Sequence, residues 1–68
     1  MAGPEAHINY NHTTNLYEIR DGKTIYAMEL KHIQILKQYL KTHKKETVTD
    51  WYNRLGESTK AKITVTGP

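Results

Sequence analysis

The sequence predicts an α+β domain: a three-stranded antiparallel meander packed on one long helix, then a short second helix and a candidate C-terminal strand. Three patterns predict it. Two β-favouring runs flank an Asp-Gly dipeptide, a stretch after them repeats its apolar residues at helical spacing, and a capping pattern opens a second such stretch.

In chain order, residues 1–5 read as a flexible N-terminus and 6–66 as a single small α+β domain. Ala6 to Tyr10 places Ala6, Ile8 and Tyr10 in alternation with His7 and Asn9, the pattern of a half-buried strand. Asn11 to Asn15 is a polar loop. Leu16 to Arg20 and Lys23 to Met28 then flank Asp21-Gly22, a dipeptide that tolerates positive φ at both central turn positions and suits a type I′ hairpin. That turn pairs Ile19 with Thr24 and Tyr17 with Tyr26, and it sets these four side chains on one face. Glu18 and Ile25 face the other way, and Arg20 opposes Lys23.

Glu29 to His43 is the main helix, with Leu30, Ile33, Leu36 and Leu40 at helical spacing. Ile35 and Tyr39 widen this stripe beyond half the circumference, so the helix needs cover from two directions. Thr47 with Asp50 forms a capping box in which aspartate stands in for glutamate. Val48, Trp51, Tyr52 and Leu55 follow at i, i+3, i+4 and i+7, and Gly56 is suited to end the helix in the left-handed conformation. Ile63 to Thr66 is β-branched and reads either as a strand on a sheet edge or as a frayed tail.

The chain has 68 residues and no cysteine, which excludes disulfides and thiolate metal sites. No apolar run reaches the length of about 18 residues that a membrane span requires. The first residues lack the order of a signal peptide, which predicts an intracellular protein, cytoplasmic or nuclear. Ser58 is the only serine, no histidine adjoins it, and the glycines are scattered, so no catalytic constellation or phosphate loop emerges. The reading is therefore non-enzymatic, with no cofactor. His32 and His43 lie about three helical turns apart, too far to share one ion, and no metal site is expected.

The net charge of +3 is unevenly placed. Residues 1–30 carry a net −2 and residues 46–68 cancel, whereas residues 31–45 hold Lys31, Lys37, Lys41, Lys44 and Lys45 without a single acid. Concentrated charge of one sign attracts polyanions. It also keeps a small surface solvated, so charge alone does not name a partner.

Two functional readings follow. The first is a small nucleic-acid-binding regulator, with DNA favoured over RNA and the five lysines as phosphate contacts. Asn53 and Arg54, with Thr49, point outward from the second helix, and Asn and Arg suit base edges and phosphates. A helix-turn-helix can be placed in two ways, the second with Gly56 as the turn and Ser58-Thr59-Lys60 opening a recognition helix. There Tyr52 is too bulky and the β-branched run follows too soon. The second reading is a protein-interaction module, an inhibitor, adaptor or homodimer, that uses Ile35 and Tyr39 on the apolar flank. An acidic protein would suit its basic face. Tyr17 and Tyr26 are assigned to the core rather than to base stacking.

Overall fold

The computed structural model describes residues 7–67; the predicted N-terminal tail and Ala6 lie outside them. Four strands form one antiparallel sheet in chain order, β1 (Ile8–Asn11), β2 (Leu16–Asp21), β3 (Thr24–Met28) and β4 (Thr64–Thr66). Between β3 and β4 come α1 (Leu30–Thr42), α2 (Val48–Asn53) and the one-turn α3 (Glu57–Lys60).

Ile8 pairs with Ile19 and Tyr10 with Tyr17, so the alternation read from the sequence brings these residues to one face. The β2–β3 hairpin forms in a shifted register. Ile19 faces Tyr26, Tyr17 faces Met28, and Asp21 pairs with Thr24, which leaves Gly22-Lys23 as the turn. Gly22 has φ +66° and no other residue of that turn has positive φ. Positive φ at the first position alone is the pattern of a II′ turn rather than the expected I′. The shift moves each partner by two residues, so the faces are unchanged: Tyr17, Ile19, Thr24 and Tyr26 still share one, and Glu18 and Ile25 the other. It also removes the expected like-charge pair, because Arg20 opposes Ile25.

The C-terminal run is a strand, with Val65 beside Tyr26 and Thr64 beside Ala27. It makes the sheet four-stranded. Gly67 follows at φ +121°, and a Cβ there would collide with the Lys23 carbonyl oxygen. Only glycine lets the chain pass so close to the hairpin turn.

The helices cover one face of the sheet. Ile19, Tyr26 and Met28 meet Ile33, Leu36 and Leu40 of α1, Val48 and Trp51 of α2, and Ile63 before β4. Ile19, Met28 and Leu36 are fully buried, and each such side chain contributes about 1.5–3 kcal/mol. Glu29 is the N-cap of α1, although its side chain makes no capping bond, and His43 is the C-cap.

The Thr47–Asp50 capping box is present in both halves: the Asp50 N–H donates to Thr47 Oγ1 at 3.1 Å, and the Thr47 N–H to Asp50 Oδ2 at 3.0 Å. Gly56 departs from expectation. Its φ of −73° is ordinary, and it serves as N-cap of α3 rather than as a left-handed end to α2. Arg54 instead ends α2, its N–H donating to the Trp51 carbonyl and the next N–H, of Leu55, to that of Tyr52.

Candidate nucleic-acid interface

The inner side of α1 is set by His32, Ile33, Leu36 and Leu40, all buried. Its outer side therefore points away from the sheet and carries Lys31, Lys37 and Lys41, all exposed. At about 100° per residue, Lys37 and Lys41 lie about 40° apart with Gln34 beside them, whereas Lys31 sits about 80° from Lys41 across the polar strip. Lys44 and Lys45, also exposed, form the turn after α1. The basic surface thus runs along the outer face of α1 and gathers at its C-terminal end, where positive charge is favoured by the helix dipole.

Among the described residues, none of these five lysines is in an ion pair; the pair present is Arg54 with Glu46, Nη2 to Oε2 at 3.0 Å. Glu46 is the only acid between residues 31 and 49. Its other oxygen, Oε1, accepts a 2.6 Å hydrogen bond from the Tyr39 hydroxyl. That bond is the main reason the Tyr39 phenol is held above its ordinary value, because ionisation would break it and set two anions side by side. Glu46 is therefore committed to Tyr39 and Arg54, and among the described residues the lysine charge has no counterion.

The remaining predicted residues divide. Asn53 is exposed at the last position of α2. Arg54 is brought to the lysine-rich turn by Glu46, which directly follows Lys45. Thr49 does not point outward as the helical spacing suggested. It is half-buried, and both its N–H (3.0 Å) and its hydroxyl (2.6 Å) donate to Asp21 Oδ2. With that proton spent, the hydroxyl accepts from Tyr26 at 2.8 Å. Asp21 thereby caps α2 from the hairpin end and ties sheet to helix. α3 has four residues, too few for the recognition helix that the second helix-turn-helix placement requires.

Of the two residues assigned to a protein contact, Ile35 is 56% exposed. Tyr39 is half-buried, with its ring stacked on His43 at 4.0 Å and 12° and its hydroxyl on Glu46. His43 Nδ1 lies 3.0 Å from the Tyr39 carbonyl oxygen and 2.9 Å from the Thr42 hydroxyl. His32 is a packed ring, 7% exposed, and among the described residues its buried Nδ1 has no hydrogen-bond partner. Tyr26 is buried and Tyr17 half-buried, whereas Tyr10 is exposed beside Tyr17 and His12.

Sequence reasoning missed Glu46, which holds Arg54 beside the lysines, and Asp21, which ties the hairpin turn to α2. For Glu46 a signal existed: a single acid in a long basic stretch is the one counterion on offer. Asp21 gave no such signal, since its partner lies 28 residues away. Among the described residues there is no group of three or more His, Asp or Glu side chains placed to hold a metal ion, and no helix is long and apolar enough to cross a membrane. No protein-family model, curated protein or solved structure matches the chain.

Proposed function

We propose that this protein binds nucleic acid, with duplex DNA as the favoured form, through phosphate contacts from Lys31, Lys37, Lys41, Lys44 and Lys45. The observation that supports the reading is the state of these side chains. All five are exposed and, among the described residues, in no ion pair, while the acid that directly follows them, Glu46, is occupied by Tyr39 and Arg54. Unpaired surface lysines keep their counterions until a polyanion displaces them, and the release of those ions drives binding. The surface runs along the outer side of α1 into the turn after it, so it can follow a phosphate backbone while the apolar side of α1 remains in the core. Asn53, exposed at the end of α2, and the adjoining Arg54 are the candidates for base contacts.

Fluorescence anisotropy against labelled duplex DNA, single-stranded DNA and RNA across a salt series tests the proposal. Binding should weaken linearly in a log–log plot, with the slope falling by about 0.9 for each lysine–duplex phosphate contact removed. Binding that does not respond to salt, or no binding at low salt, would contradict it. The second reading, a protein partner, rests on Ile35, whose side chain is 56% exposed. Loss of an association on Ile35→Ser, with nucleic-acid binding absent, would select that reading.

A further inference from the structure

Glu46 stands where an acid is least expected on a surface that takes up phosphate. It directly follows Lys44 and Lys45, and its two oxygens are used differently. Oε1 takes the Tyr39 hydroxyl at 2.6 Å, and Oε2 takes Arg54 Nη2 at 3.0 Å. The carboxylate is the fixed half of the ion pair, with its side chain 22% exposed and held from below by Tyr39. The arginine is the free half, with its side chain 64% exposed and one guanidinium bond made out of five available donors. Tyr39 stays a donor across the neutral range, because its bond to Glu46 raises its phenol further above that range.

Resting on the lysine reading above, we infer that Glu46 is an internal stand-in for phosphate that holds Arg54 in reserve: the arginine pairs with Glu46 in the free protein and turns to a phosphate beside Lys44 and Lys45 in the complex. The exchange swaps one oxyanion for another on the same guanidinium, so the exposed arginine moves and the anchored glutamate does not. Glu46 thus limits affinity. It lets weakly held polyanions dissociate and sets how many phosphates must be engaged before Arg54 joins them.

A double-mutant cycle tests this. Wild type, Glu46→Gln, Arg54→Ala and the double variant are titrated against one labelled duplex at fixed salt, with Lys41→Glu/Lys45→Glu alongside. Glutamine is nearly the same size and still accepts the Tyr39 hydrogen bond, and circular dichroism verifies that each variant folds. Glu46→Gln should tighten binding about three- to fivefold, the release expected of one exposed ion pair. In the Arg54→Ala background the same change should gain no more than about half as much. Equal gains in both backgrounds would show that Glu46 acts only as a nearby negative charge, and weaker binding by Glu46→Gln would show that it positions Arg54; either overturns the inference while leaving the lysine reading intact. A charge-reversed variant that binds as tightly as wild type overturns the lysine reading, and this inference with it.

Discussion

The start of α2 and the outer face of α1 treat polar groups in opposite ways. At the start of α2, Asp21, Thr49 and Tyr26 are bonded to one another and tie the hairpin turn to the helix, while Thr47 and Asp50 bond each other in the capping box. Along α1, the lysines have no ion-pair partner among the described residues. Half-buried polar groups need partners because an unmade bond there costs the full desolvation of the group. Solvated lysines need none, so whatever they do is left to something outside the chain. The contrast separates polar residues that build the fold from charged residues the fold only displays.

Substitutions break or sharpen this contrast to different degrees. The largest effect belongs to neither region: Leu36→Ala empties a fully buried site under α1 and should cost about 2–5 kcal/mol, enough to unfold most of a domain this small in a thermal melt. Asp21→Ala comes next. It strips the acceptor from two donors on Thr49 and should cost about 1–2 kcal/mol, read as a lower midpoint in urea. A loss no larger than that of a surface substitution would mean that the junction is not a structural tie.

Tyr39→Phe should act less, and in a pH-dependent way. The Tyr39 phenol is raised above its ordinary 10.0, first by its hydrogen bond to Glu46. Raised in the folded state, it contributes stability that is complete below pH 10 and fades as pH climbs through the folded value. The margin of wild type over Tyr39→Phe should therefore be constant near neutrality and shrink in strong alkali. Difference titration of the two proteins at the phenolate absorbance should show one phenol ionising above 10.0. The smallest effect on stability is expected from Lys41→Glu/Lys45→Glu, within about 0.5 kcal/mol per site, since neither lysine is in an ion pair among the described residues.

Most elements were legible in the sequence because each has a strong local cause: alternation for β1, period 3.6 for α1, reciprocal caps for α2. The hairpin register was not, because Asp-Gly can sit in a two-residue turn in more than one way. Asp21 stays in the strand, where its carboxylate reaches Thr49, a contact between residues far apart in the chain. The same contact explains why Thr49 is turned inward although helical spacing put it outside. Gly56 looked like a helix end because glycine suits the left-handed conformation, but the chain continues into α3 at ordinary φ. On the candidate surface, the lysine positions could be read from charge spacing alone. The coupling of Tyr39, Glu46 and Arg54 could not, since it requires the α1–α2 connection to fold them together.

The most direct test of the central claim is duplex DNA binding by wild type and Lys41→Glu/Lys45→Glu across one salt series, with thermal melts of both. Displayed rather than structural lysines predict nearly equal melts, a loss of affinity greater than about tenfold for the variant, and a salt slope lower by about two units. Equal affinity at equal stability would contradict the account.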